Sequence, residues 1–167
     1  DLEKFMADLF EAHGHFAGPP KPEKGTQTEQ VDGSVHLDGI TWIFESKWHK
    51  KKFPPKDLSR IRDLMHGRPK GVCGFIVAIA GFTPGAVKSV LKVPGDAIAL
   101  IDGEDLRAVL SGQIRVDHLL RAKKFSLERD RLAFISAADI LEDSELLRVA
   151  SAGRTPAPSL EARTLGA

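Results

Sequence analysis

Gln30-Val31-Asp32-Gly33-Ser34-Val35-His36-Leu37-Asp38-Gly39-Ile40-Thr41-Trp42-Ile43-Phe44-Glu45-Ser46-Lys47-Trp48 is the stretch on which the reading of this chain turns. Residues 29–37 and 40–48 alternate polar and apolar, the period of two expected of a strand whose two faces differ. Between them, Asp38-Gly39 is a residue pair that tolerates the positive φ angles of a two-residue hairpin loop. With that loop Leu37 pairs with Ile40, Asp32 lies opposite Glu45, and Gln30 lies opposite Lys47. One face then carries Val31, Gly33, Val35, Leu37, Ile40, Trp42, Phe44 and Ser46. The other carries Gln30, Asp32, Ser34, His36, Thr41, Ile43, Glu45 and Lys47. A slip of one residue would destroy this division, so the register is well specified.

Outward from the hairpin, Leu2, Phe5, Met6, Leu9 and Phe10 recur at helical spacing and predict a helix from residue 2 to about 13, ending at Gly14. Gly18-Pro19-Pro20 and Pro22 mark residues 17–28 as a loop. Leu58, Ile61, Leu64 and Met65 predict a second helix over 56–65, and residues 75–80 read as a strand buried on both faces. A short helix from Pro84, a strand over 97–101, a helix capped by Asp102 and a further helix over 114–124 follow. Residues 131–140 read as a short strand and a turn. The expected class is α/β, a small mixed sheet flanked by helices. With 167 residues there is room for one core, assigned to residues 1–145, with 146–167 as a flexible C-terminal tail.

Composition removes several function classes. The lone Cys73 excludes a disulfide framework and a cysteine-rich zinc site. The longest nearly apolar run, Gly71 to Phe82, is too short to span a bilayer, so no membrane partner and a cytoplasmic location are expected. Net charge is only +1, yet residues 45–70 hold nine basic and three acidic side chains. Such local asymmetry points to contact with a polyanion, although a solvated lysine-rich face gives the same pattern. Lys50, Lys51, Lys52, Lys56 and Arg60 are the candidates for phosphate contact.

Two carboxylates across a ladder repel each other unless a cation intervenes. Asp32 and Glu45 therefore admit two readings: a surface cluster neutralised by Lys47, or a pair that holds a divalent ion. Mg²⁺ suits the second, since it takes one or two carboxylates and leaves its other positions to water and phosphate. Lys47, two residues beyond Glu45, projects from the same face and could stabilise charge developing at phosphorus. His13 and His15 lack a third ligand nearby, and Asp102 and Asp105 suit a helix cap better than an ion. With no tyrosine in the chain, base stacking would fall to Trp48, Phe or His, Trp42 being assigned to the core.

Asp32-Gly33 on one strand and Glu45-Ser46-Lys47 on the next resemble the D…ExK signature of the PD-(D/E)XK nuclease superfamily. The longer pattern, Gln30-Val31-Asp32-Gly33 with Phe44-Glu45-Ser46-Lys47, is similar to its Mrr-type, restriction-endonuclease-like branch. Gly81-Phe82-Thr83-Pro84-Gly85-Ala86 and Leu100-Ile101-Asp102-Gly103-Glu104-Asp105-Leu106 resemble segments that follow the core there. The resemblance covers residues 2–110. It departs from the superfamily at Val31, where a proline often precedes the aspartate.

What the resemblance implies is a restriction-endonuclease-like αβββαβ core acting as a metal-dependent DNA endonuclease, in restriction or defence against foreign DNA. It implies Mg²⁺, with Mn²⁺ able to substitute, on Asp32, Glu45 and the Ser46 carbonyl. Lys47 would assist the attacking water, Gln30 would line the site, and Glu3 would be the acid contributed by the first helix. The expected partner is DNA; a homodimer is compatible because cutting two strands needs two sites, and a sensor or recognition domain could be fused or associated. A noncatalytic nucleic-acid-binding or scaffold module of the same fold is the alternative. A degenerate copy of that kind commonly loses Asp32, Glu45 or Lys47, and all three are present.

Overall fold

A computed structural model describes residues 1–18 and 31–153. The elements run α1 (Leu2–Ala12), β1 (Phe16–Gly18), β2 (Gly33–Leu37), β3 (Ile40–Lys47), α2 (Pro55–His66) and β4 (Cys73–Ala78). They continue through α3 (Pro84–Ser89), β5 (Ile98–Asp102), α4 (Gly103–Leu110), α5 (Val116–Asp130), α6 (Ala137–Glu142) and α7 (Ser144–Ser151). The strands form one sheet in the order β1-β2-β3-β4-β5. β1, β2 and β3 pair antiparallel, whereas β3, β4 and β5 pair parallel. The first six elements follow the αβββαβ order that the resemblance implied, and the whole is a mixed α/β sheet flanked by helices.

Local chemistry explains the main boundaries. Asp1 caps α1 by accepting from the Glu3 amide at 3.0 Å, and the helix buries Leu2, Met6 and Phe10 along one stripe. Pro54 and Pro55 stop the extended chain, and Pro55 then starts α2, where a missing N–H costs nothing. Asp38 (φ 55°) and Gly39 (φ 77°) make the tight turn, so Leu37 pairs with Ile40 as the sequence indicates. All six residues of β4 are buried, because helices cover both faces of the sheet.

The strand residues divide between two cores. On one face Val35, Leu37, Trp42, Phe44, Phe75, Val77 and Ile101 pack with Phe10 of α1 and with Leu119 and Leu120 of α5. The rings of Phe44 and Phe75 stack there at 5.0 Å between centroids. On the other face Ile43, Ile76, Ile98 and Leu100 meet Leu58, Ile61 and Met65 of α2. Gly33 packs against the first core, and a Cβ there would lie 2.5 Å from the Phe44 ring. Gly33→Ala is therefore expected to cost about 1–3 kcal/mol through overpacking. Chemical denaturation measures it, and an unchanged midpoint would show that Phe44 moves freely.

Several sequence expectations need correction. The hairpin face that carries Ile43 and Glu45 is not a solvated polar face, because β3 is central and α2 covers it; Ile43 and Glu45 are 3% and 5% exposed. Ala17 and Gly18, expected in a loop, belong with Phe16 to an edge strand paired with Ser34–His36 and too short to show alternation. Residues 131–140 hold no strand: Arg131 closes α5 in the left-handed region, and Ser136 caps α6. The expected tail over 146–167 begins too early. Residues 146–151 belong to α7, where Leu146 and Ala150 are buried, and the remainder from 154 lies outside the described residues.

Side-chain networks fasten this second half to the sheet. Arg121 of α5 donates to both Asp38 oxygens, at 2.7 and 3.0 Å, and to the Ala150 carbonyl at 3.1 Å. It thereby ties the hairpin loop to α7. Asp117 accepts from His15, Arg115 and Arg121; burial alone would raise its carboxyl, but Arg115, His15 and nearby His118 hold it well below the usual range. His15 thus serves this junction.

Candidate active site

The site is built at the end of β3, where the strand leaves the cover of α2. Glu45 and Lys47 are two residues apart and share a face, so they reach the same point of the rim. Lys47 Nζ lies 2.8 Å from Glu45 Oε1, and Arg60 Nη1 from α2 lies 3.7 Å from the same oxygen. Burying a carboxylate is costly unless cations and hydrogen bonds compensate. Here the compensation is one-sided: Glu45 Oε2 is buried and makes no hydrogen bond among the described residues.

Asp32 arrives from the other strand, in the register that sets it across from Glu45. The β2–β3 ladder begins at Gly33 with Phe44, and Asp32 lies just before it. Its Oδ2 accepts from the Ser46 amide at 2.8 Å and from Ser46 Oγ at 3.4 Å. Within that register the Asp32 carboxylate is hydrogen-bonded to the residue between Glu45 and Lys47. Asp32 is only partly exposed, so this bond fixes its position beside the strand.

The other candidates fall in different places. Gln30 lies outside the described residues. Glu3 is half-buried near the start of α1, and its side chain forms no hydrogen bond or ion pair with Asp32, Glu45 or Lys47. Lys50, Lys51 and Lys52 are exposed on the segment after β3. That segment is anchored at its far end, since Phe53 is 2% exposed, donates its amide to the Gly81 carbonyl at 2.8 Å and accepts from the Thr83 amide at 3.1 Å. Lys56 is exposed on α2. Arg60, read from sequence as a phosphate contact only, also reaches Glu45. No sequence signal shows this, because which turn of a helix lies over which strand end is a tertiary matter. Asp102 and Asp105 form the capping box of α4.

Among the described residues no cluster of three or more His, Cys, Asp and Glu side chains forms an all-protein ion cage. Mg²⁺ does not need one, and the chemistry of the donors fits it: two carboxylates, one with a buried unpaired oxygen, beside a backbone carbonyl at Ser46.

No curated protein matches the chain. Among solved structures, a protein of unknown function, AF1548, superimposes with a TM-score of 0.51 and 18% identity over 90% of this chain and 87% of that one. The MspJI restriction endonuclease in complex with a 27-mer oligonucleotide gives 0.45 and 14%, covering 98% of this chain but 34% of that one. The EndoMS complex with double-stranded DNA gives 0.41 and 18%, covering 61% of this chain and 44% of that one. A family model for the restriction endonuclease domain Mrr_cat matches residues 1–110. That match runs from the first helix to the end of α4, taking in every strand and the residues that meet at Glu45, and the chain belongs to this Mrr-type restriction endonuclease family.

Proposed function

We propose that this domain is a divalent-metal-dependent DNA endonuclease with its centre at Asp32, Glu45 and Lys47. The observation that carries the reading is the buried, unpaired Oε2 of Glu45 beside a lysine and an arginine at the open end of a central strand. Such an oxygen is costly in a purely structural carboxylate, and a cation removes the cost. Asp32, Glu45 and the Ser46 carbonyl would hold Mg²⁺, or Mn²⁺ in its place. The ion would polarise a phosphoryl oxygen and lower the pKa of a water.

The chain's own groups do the rest. The Ser46 amide keeps Asp32 from swinging into solvent. Lys47, with 28% of its side chain exposed, can leave Glu45 for the scissile phosphate, where it stabilises negative charge and orients the attacking water. Water adds at phosphorus, the bond to the 3′ oxygen breaks, and that oxygen takes up a proton, leaving 5′-phosphate and 3′-hydroxyl ends. Gln30 and Glu3 remain proposed as residues lining the site. Restriction or defence in the cytoplasm, as a homodimer or beside a recognition domain, is the setting that goes with this reading. The folded domain that would carry this activity includes α7, whose Leu146 and Ala150 are buried. No helix among the described residues is long and apolar enough to cross a membrane.

Plasmid DNA incubated with the purified protein tests the reading. Nicking or linearisation is expected with Mg²⁺ and with Mn²⁺ and none with EDTA. Absence of cleavage and of divalent-ion binding would leave a noncatalytic module of the same fold. Substrate affinity is expected to depend on the rim lysines. Neutralising Lys50, Lys51, Lys52 and Lys56, with Arg60 left in place at Glu45, should weaken binding to all DNA sequences alike. It should also flatten the salt dependence by about one unit of slope for each phosphate that is no longer neutralised. An unchanged slope would place the DNA on another face.

A further inference from the structure

β3 is followed at once by Trp48, whose side chain is 73% exposed. Tryptophan is highly buried on average, and this indole is not a solitary exposed ring. It forms one wall of a cleft of about 520 Å³ whose other walls include Phe5 of α1, Ile79 beyond β4, and Leu106 and Leu110 of α4. Leu110 is itself 60% exposed. The cleft opens beyond the carboxyl ends of the parallel strands β3, β4 and β5, where open α/β sheets receive their ligands. Trp48 follows Lys47 directly in the chain, so the cleft lies beside the end of β3 that carries the site.

The charges around this cleft do not suit a phosphate. Arg107 is held by both oxygens of Glu104, at 2.6 and 2.7 Å, and Asp102 caps α4 by accepting from the Asp105 amide at 2.8 Å. What remains is a largely apolar cleft whose Trp48 wall stands in the chain between Lys47 and the exposed Lys50, Lys51 and Lys52. The volume falls within the range of about 300–1,000 Å³ typical of small-ligand sites. A nucleotide is divided in the same way, with a charged phosphate joined to a flat, neutral base.

We infer that the cleft receives a single unstacked nucleobase next to the scissile phosphate, with Trp48 as its stacking platform. The inference rests on the DNA-endonuclease reading. It makes Trp48 a specificity and positioning residue, and it favours DNA that is unpaired or easily unpaired at the cut.

The test uses the full chain in EDTA with a duplex carrying a short internal loop of thymidines, and the same duplex with abasic residues in the loop. Binding to the thymidine loop is expected to be about 5- to 100-fold tighter, the worth of one base stacked on an aromatic ring. Trp48→Ala should erase the preference and leave affinity for the abasic duplex unchanged, while Trp48→Phe should keep most of it. Tryptophan fluorescence should be quenched by the thymidine loop alone, since Trp42, the other tryptophan, is 1% exposed. Equal affinity of the parental protein for both duplexes, or a preference that survives Trp48→Ala, would overturn the cleft. Cleavage of plasmid in Mg²⁺ would then still uphold the endonuclease reading. Failure to bind either duplex would sink both.

Discussion

Asp32→Asn and Glu45→Gln are each expected to abolish plasmid cleavage and to weaken Mg²⁺ or Mn²⁺ binding together, whereas Lys47→Ala loses cleavage and keeps the metal. The carboxylates supply the ion's ligands, so calorimetric titration of either amide variant should show affinity falling in step with activity. Lys47 acts on the charge that develops at phosphorus. Its loss should lower the rate by about 10²–10³-fold, with DNA binding and most of the metal affinity retained. The structure also limits what these variants do to stability. Lys47 and Arg60 already compensate Glu45, and the Ser46 amide compensates Asp32, so neutralising one carboxylate relieves little repulsion. Asparagine can still accept from the Ser46 amide, and Asp32→Asn should shift the melting temperature by only a few degrees. Parental cleavage rates in Asp32→Asn and Glu45→Gln would remove the metal centre from these residues.

Asp105→Ala is expected to cost about 3–5 kcal/mol, a large share of the about 5–15 kcal/mol that holds a domain of this kind together. Asp105 is 0% exposed and accepts from Lys123 Nζ at 2.8 Å, from the Ala137 amide at 2.7 Å and from the Asp102 amide at 3.2 Å. One carboxylate therefore joins α4, α5 and the start of α6. Lys123 is equally enclosed: it donates to the Ile135 carbonyl and lies 4.2 Å from the centre of the Phe134 ring. Burial pulls its ammonium pKa below the ordinary lysine value, and Asp105 opposes that shift. Removing Asp105 leaves a buried cation without its counter-ion. Replacing both partners by Leu and Met should recover much of the loss, because the desolvation of two charges disappears with them. Urea denaturation decides the matter, and a single-variant loss below about 1 kcal/mol would mean that water reaches Lys123 freely.

The two experiments separate parts of the molecule that were unequally legible. The Asp38-Gly39 turn and the alternation on either side of it defined both register and face, since a two-residue turn leaves one pairing that keeps apolar residues together. Glu45 and Lys47 followed from that face, two residues apart on one strand. Residues 131–153 were poorly read because α6 and α7 are short, and their apolar residues make sense only against α5. The Asp105–Lys123 pair was hidden for the same reason. An aspartate in a capping box and a lysine in a helix look solvated until a third segment closes over them.

The linear order of residues determined the hairpin, the helices and strands from β2 to α4, and the chemical types gathered at the end of β3, because each depends on short-range periodicity and on chain neighbours. The αβββαβ order and the family came with the resemblance carried by Asp32 and Glu45-Ser46-Lys47. Tertiary structure alone decided that α2 buries Glu45, that Arg60 comes to 3.7 Å from its carboxylate, and that Asp32 accepts from the Ser46 amide. It alone set Trp48 against Phe5 and Leu110 across a cleft. These relations join residues far apart in the chain, and the packing of whole elements sets their distances.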